Sequence, residues 1–97
     1  MNINCELIKE MLIEIDKYPN NEIAAGNSKD ERVAHGQWLI DNNLIDADVN
    51  PELNNQKGII GKNLTLSGTK LLKRIMADSS NLKIIIDSFI KMKARGH

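Results

Sequence analysis

The chain has 97 residues, enough for one domain with a single hydrophobic core. No apolar run approaches the roughly 18 residues that a membrane span requires, and the first residues lack the basic and apolar regions of a signal peptide. Cys5 is the single cysteine, which excludes an internal disulfide and fits a reducing compartment. These features predict one cytoplasmic domain over residues 1–97.

The formal net charge is zero, but the two signs are separated along the chain. Residues 1–56 contain four basic and eleven acidic residues, a net charge of −7. Residues 57–97 contain nine basic and two acidic residues, a net charge of +7. Such a split indicates either a surface for a charged partner or mutual neutralisation of the two halves in the fold. Neutralisation is the simpler expectation.

The first predicted element is an amphipathic helix. Asn4 is suited to cap it, and Tyr18-Pro19 should end it because proline disfavours helix in the residue before it. The residues expected to face the core recur at three- and four-residue spacing: Leu7, Ile8, Met11, Leu12 and Ile15. The next segment, residues 20–27, is compatible with either a helical turn or a short strand.

A second helix is predicted to start at Ser28 and to organise the rest of the chain. Ser28 and Glu31 have the spacing of a capping box. Asn42-Asn43 should end the helix, since asparagine tolerates the left-handed conformation found just past a helix. The residues expected to face the core in and after this helix are Val33, Trp38, Leu39, Leu44 and Ile45.

A hairpin is predicted next. Residues 45–49 alternate apolar and polar side chains like a half-buried strand, and Asn50-Pro51 should break it. A polar connector then leads into a return strand over residues 59–64. The two strands would form a hairpin of the type called a wing.

Two further helices complete the chain. Thr65 can cap a helix with an inward stripe of Leu71, Leu72, Ile75 and Met76. Asp78 or Ser79 can start a last helix, residues 78–94, whose apolar surface is too wide for one small domain to cover. This width predicts a homodimer whose contact residues are Leu82, Ile85, Ile86 and Phe89.

Two motifs resemble a known family. Residues 35–45, HGQWLIDNNLI, are similar to the pattern H-x-x-L-L-x-x-x-G-L-I of DUF2513, a family of small bacterial and prophage proteins. Residues 64–75, LTLSGTKLLKRI, match its second pattern, L-T-x-x-G-x-x-x-L-x-x-I. YjcQ-like winged-helix proteins have similar patterns, and Asn43 stands where glycine is usual. The resemblance implies an α+β, mainly α fold, a winged helix-turn-helix with a two-stranded hairpin and an added C-terminal helix. It also implies a phage or prophage protein, but no particular activity.

No pattern in the sequence predicts catalysis, and we expect no enzyme, cofactor or metal site. His35 and His97 are the two histidines, and Cys5 is distant from both in sequence. His35 lies among core positions, which favours a hydrogen-bonded structural residue. Glu6, Glu10 and Glu14 share a helix face, and a solvated face explains them.

The winged-helix resemblance favours duplex DNA as a partner, and protein binding is the alternative. The second helix has a poor charge for DNA, although it offers amide side chains that can hydrogen-bond to bases. The candidate nucleic-acid contacts are Gln37, Asn42, Lys57, Lys62, Lys70, Lys73 and Arg74. In the alternative, an acidic face would bind a basic host protein and modulate a host complex, and its candidate residues are Glu10, Glu14 and Asp41. The fold alone places DNA slightly ahead, with no membrane partner.

Overall fold

The structure, a computed structural model, describes residues 2–53 and 56–95, which form four α-helices and one three-stranded antiparallel sheet. In chain order the elements are α1 (Cys5–Lys17), β1 (Asn21–Gly26), α2 (Glu31–Asp41), β2 (Ile45–Leu53), β3 (Gln56–Leu64), α3 (Leu66–Ala77) and α4 (Leu82–Arg95). A single 3₁₀ turn, Ser79–Asn81, leads into α4. The predicted class, α+β and mainly α, is confirmed.

The sheet has the order β1-β3-β2, with β3 in the centre. Two predictions about it were wrong: the hairpin is joined by a third strand, and β2 does not stop at Asn50-Pro51 but continues to Leu53. Proline lacks a backbone N–H, and it is tolerated here because Pro51 lies on an edge strand in the irregular stretch between Asn50 and Leu53, where the pairing with β3 shifts register. The undecided segment after α1 is β1, which pairs with β3 from Asn21 opposite Gly61 to Gly26 opposite Lys57.

The core lies between one face of the sheet and the helices. All five predicted core residues of α1 are buried, and they pack with Leu39, Leu44 and Ile59, among others. Two predictions at the margins of the core need correction. Met76 is 62% exposed, and Trp38 is half-buried against the outside of the cluster.

The start of α2 differs from the predicted capping box. Asp30, not Ser28, is the N-cap residue, and it makes no side-chain cap hydrogen bond. Its carboxylate instead accepts the backbone N–H of Asn27 at 3.1 Å. This tight turn needs Gly26, whose φ is +145° and whose position leaves no room for a Cβ: that atom would lie 2.0 Å from Asp30 Oδ2. The turn thus uses the carboxylate that a helix cap would have used.

The end of α2 is joined to the start of α3. Asn43 has a φ of +57°, as predicted, and the N–H of Leu44 donates to the Leu39 carbonyl, which is the pattern of a Schellman motif. Thr65 then connects the two helices: its N–H donates to the Leu44 carbonyl at 3.1 Å, and its hydroxyl donates to the Asn43 carbonyl at 2.8 Å and accepts the N–H of Gly68 at 3.0 Å. The two motifs of the family resemblance therefore meet in space.

The segment between β1 and β2 contains one helix. In the described part of the chain, residues 27–30 form a turn and α2 alone lies between β1 and β2. A helix-turn-helix requires two helices joined by a short turn, and that pair is not found at this place. None of the helices in residues 2–53 and 56–95 is long and apolar enough to cross a membrane.

Candidate functional site

Three predicted site residues, Gln37, Asp41 and Lys57, meet near the C-terminal end of α2. The side-chain amide of Gln37 donates to Asp41 Oδ1 at 2.9 Å and accepts from Lys57 Nζ at 2.5 Å. Lys57 comes from β3, twenty residues along the chain, so the tertiary fold makes this chain of bonds. Gln37 and Lys57 were candidates for DNA and Asp41 for a basic protein, yet the structure joins all three.

Asn42 caps the C-terminal end of the same helix. Its Nδ2 donates to the Trp38 carbonyl at 2.9 Å, and its backbone N–H donates to that same carbonyl at 3.0 Å. The side chain is half-buried. Asn42 therefore satisfies a backbone group at the helix end, which is the usual role of an amide at such a position.

The predicted acidic face is divided. Glu14 forms an ion pair with Arg32, 2.8 Å between Oε2 and Nη2, and the Nε of Arg32 donates to the Ile23 carbonyl at 2.9 Å. Arg32 lies in the first turn of α2, whereas Asp41 is its last residue, so the two carboxylates are at opposite ends of that helix. Glu10 is exposed on α1. The three candidates thus do not form one continuous acidic surface.

His35 is a structural residue, as the sequence predicts. It is 2% exposed, its Nε2 accepts the N–H of Asn4 at 2.8 Å, and its Nδ1 lies 2.7 Å from the Glu31 carbonyl oxygen. Because a backbone N–H can only donate and a carbonyl can only accept, the ring carries its proton on Nδ1. The Nε2 bond joins the N-cap of α1 to α2, and the Nδ1 bond lies within α2.

The remaining predicted cations lie in the C-terminal half of the chain. Lys62 is exposed on β3, and Lys70, Lys73 and Arg74 are exposed on α3. The three α3 cations share one helix face because they are spaced by three and four residues. They form one wall of an open groove between α3 and α4 with a volume of about 500 Å³. We call it the α3–α4 groove, and its lining residues are Ser67, Lys70, Lys73, Arg74, Phe89 and Met92.

The sequence analysis did not identify the apolar side of this groove, which Phe89 and Met92 of α4 form. Phe89 is 9% exposed and Met92 is 62% exposed, so the floor is partly accessible. Arg74 Nη1 lies 3.9 Å from Met92 Sδ across the groove. The wide apolar surface of α4 was visible in the sequence, but it was interpreted as a surface for a second copy of the chain.

The residues predicted for that homodimer are mostly used by the chain itself. Leu82, Ile86 and Phe89 belong to the buried core, and Ile85 is half-buried against it. The exposed apolar side chains of α4 are Ile84 and Met92, at 64% and 62%. A second copy would have to contact these residues instead.

Among the described side chains, no ion pair within 4.0 Å joins the two charged halves. Among the side chains that the structure describes, the ion pair within 4.0 Å joins Glu14 and Arg32, both from the acidic half. Neutralisation of one half by the other through charges farther apart stays a prediction. The α3 cations are exposed, and none has a carboxylate within 4.0 Å among the described side chains, although Asp16 of α1 lines a cavity together with Lys73.

Among the described residues, the pKa values of two groups, Cys5 and Asp78, are shifted from their ordinary values. Burial raises the pKa of the Cys5 thiol, and the negative charge of Asp87 adds to this effect, so the thiolate is disfavoured. The pKa of Asp78 is lowered because the Ser80 hydroxyl and then the Ser80 N–H donate to its carboxylate. That carboxylate caps the 3₁₀ turn before α4.

Within the described ranges, no group of three or more His, Cys, Asp or Glu side chains is placed to bind a metal ion. Comparisons with protein-family models, with curated proteins and with solved structures give no match.

Proposed function

We propose that this chain is a small regulatory module that acts by binding another protein, and that its sheet and α2 are a reduced form of the winged-helix fold. The sheet order β1-β3-β2 and the helix directly before the hairpin support the fold proposal. The turn at residues 27–30 occupies the place where a helix-turn-helix has its first helix.

The observation that supports a protein partner over DNA is that Gln37 on α2, the helix that would enter the major groove, is hydrogen-bonded within the chain. Gln37, which would read a base, already uses its amide in bonds to Asp41 and Lys57. These bonds fix the orientation of the amide, and turning it toward a base would break them at roughly 1 kcal/mol each. Engagement of the amide inside the chain therefore disfavours base recognition by this helix.

The charge of α2 leads to the same conclusion. Glu31 and Asp41 are exposed on the helix, Asp30 precedes it, and the cation of Arg32 is paired with Glu14. Phosphate attraction supplies most of non-specific DNA affinity, so an acidic helix in the groove would lose that contribution. Binding of DNA in the usual winged-helix orientation is thus unfavourable.

DNA binding remains the second candidate because of one observation: Lys62, Lys70, Lys73 and Arg74 are exposed and form no ion pair with the described carboxylates. A duplex could contact these residues at the base of the hairpin rather than at α2. Each lysine that contacts a phosphate should then contribute about one to the slope of log affinity against log salt.

Binding to a random duplex at two salt concentrations separates the two functions. Protein binding predicts no measurable duplex affinity at low salt, where phosphate attraction is strongest. If the duplex binds, Lys70→Gln and Lys73→Gln should each reduce the salt slope, with Lys83→Gln on α4 as the matched control. That result would replace the first proposal by the second.

Binding of a basic protein partner can be tested by reversing the charge of the exposed Glu10 on α1. If a basic protein binds the acidic side, Glu10→Lys should slow association, since exposed charges mainly change the on-rate. Glu22→Lys on β1, also exposed, is the control with the same change of charge.

A further inference from the structure

We infer that the α3–α4 groove binds an acidic amphipathic helix of another protein. This inference rests on the proposed protein-binding function and names the site and the chemistry of the partner. The groove has two kinds of surface side by side, a row of three cations on α3 and an apolar floor of Phe89 and Met92. A partner has to satisfy both.

The cations determine the charge of the partner. Lys70, Lys73 and Arg74 are exposed, and no carboxylate among the described side chains lies within 4.0 Å of them. Lys70 and Arg74 are one helical turn apart, about 6 Å along the axis. Carboxylates that recur every four residues on a partner helix have the same spacing and can pair with them.

The apolar floor of the groove, Phe89 and Met92, requires that the partner also present apolar side chains. The phosphates of a duplex would gain nothing from contact with apolar side chains such as Met92, which is 62% exposed, or the accessible edge of Phe89. A helix that packs apolar side chains at three- and four-residue spacing into a groove would cover both residues. The combination of acidic and apolar groups therefore favours a polypeptide helix over nucleic acid.

A second copy of this chain lacks the required combination. The acidic residues of α1 are exposed, but its large apolar residues, such as Met11 and Leu12, are buried in the core. The exposed apolar residues of α4, Ile84 and Met92, stand on a helix with a basic majority. On α4 the exposed Ile84 has one carboxylate, Asp87, on its face, and no described element presents a row of carboxylates beside exposed apolar side chains, so we assign the groove to a different protein.

The test uses a synthetic peptide roughly four helical turns long, with leucines at three- and four-residue spacing and glutamates beside them. Its fluorescein-labelled form is titrated with the full chain, and binding is followed by anisotropy. The control peptides have lysine in place of glutamate, or the same composition in scrambled order. We expect binding of the acidic amphipathic peptide alone.

Charge reversal locates the site. The double variant Lys70→Glu and Arg74→Glu should weaken binding by roughly tenfold or more. Lys62→Glu with Lys83→Glu, both exposed and outside the groove, changes the net charge equally and should leave affinity within roughly twofold. Met92→Ser should also weaken binding, whereas Ile84→Ser, at a similarly exposed site on the same helix, should not.

The results that would overturn the inference are distinct from failure of the proposed function. Equal weakening by both double variants would show general charge attraction, and preferential binding of the lysine peptide would indicate the acidic side of the chain. Either result overturns the groove assignment and leaves protein binding standing. A dimer in light scattering that the groove variant dissociates would assign the groove to a second copy. Displacement of the peptide by a duplex would overturn both proposals.

Discussion

Replacement of Gly68 by alanine tests the contact between α2 and α3. A Cβ at this position would lie 1.9 Å from the Leu44 carbonyl oxygen and 3.0 Å from its carbon. These are backbone atoms at the end of a Schellman motif, so they cannot rotate away as a side chain can. The first turn of α3 would have to move by about 1 Å or more to restore an ordinary nonbonded separation.

The expected cost follows from the groups that this movement separates. Two hydrogen bonds of Thr65, to the carbonyls of Leu44 and Asn43, would weaken at about 1 kcal/mol each. Displacement of the buried side chains behind Gly68 adds about 1–3 kcal/mol. Alanine returns about 1 kcal/mol as the better helix former. Gly68→Ala should therefore lower the free energy of unfolding by about 2–4 kcal/mol, a large part of the roughly 5–15 kcal/mol expected for a domain of this length.

Urea denaturation followed by Trp38 fluorescence measures this change. Gly58→Ala on β3 is the matched control, because its Cβ would approach only side-chain atoms, Asn50 Nδ2 and Glu22 Oε2, both at 3.3 Å. That variant should change stability by less than about 1 kcal/mol. An unchanged or more stable Gly68→Ala protein, with the same dependence on urea, would show that helix propensity decides at this position and that α3 does not approach Leu44 so closely.

Three further predictions follow from burial and hydrogen bonding. Trp38→Ala should lower the free energy of unfolding by about 1–3 kcal/mol, because Trp38 is half-buried and removal of a fully buried tryptophan costs about 3–5 kcal/mol. A loss of about 4 kcal/mol or more in thermal unfolding would contradict the half-buried position. Carbon-detected NMR titration should find the pKa of Asp78 lowered, and Ser80→Ala should raise it. Because the pKa is lower in the folded state, the ionised carboxylate stabilises the fold at pH values above its ordinary pKa. That contribution is lost as the pH falls through the lowered pKa. Asp87→Asn should lower the pKa of Cys5 and speed its reaction with a disulfide reagent, and an unchanged rate would show that burial alone governs the thiol.

Local signals in the sequence were sufficient for α1 and for the junctions of α3. The N-cap side chain of Asn4 accepts the N–H of Leu7 at 3.2 Å, and Thr65 caps α3, both as predicted. The left-handed conformation of Asn43 was also predicted. Caps and helix periodicity involve residues within four positions of one another, so the identities of those residues largely decide them.

The candidate site was predicted in part. The cations of α3 were identified from the sequence, and the structure places them on one wall of the α3–α4 groove. Their apolar neighbours Phe89 and Met92 come from another helix, and only the packing of α4 against α3 brings them there. Likewise, the role of Gln37 depends on Lys57, which the sheet carries to α2. The chemistry of single residues was visible in the sequence, but their combinations were not.

What the sequence by itself determined is the number and type of the helices, most of the core and the separation of charge along the chain. The tertiary structure decided that residues 21–26 are a strand, because their backbone pairs with β3, which is more than thirty residues away. It also decided that β2 continues past Pro51, since the pairing of this edge strand with β3 is irregular between Asn50 and Leu53 and a residue without an N–H is tolerated there. Met76 is 62% exposed although its spacing fits the inward stripe of α3, because the packing of α3 against distant elements decides how far the stripe is covered. Strand pairing, edge position and coverage depend on distant partners, and a pattern of neighbouring residues does not contain that information.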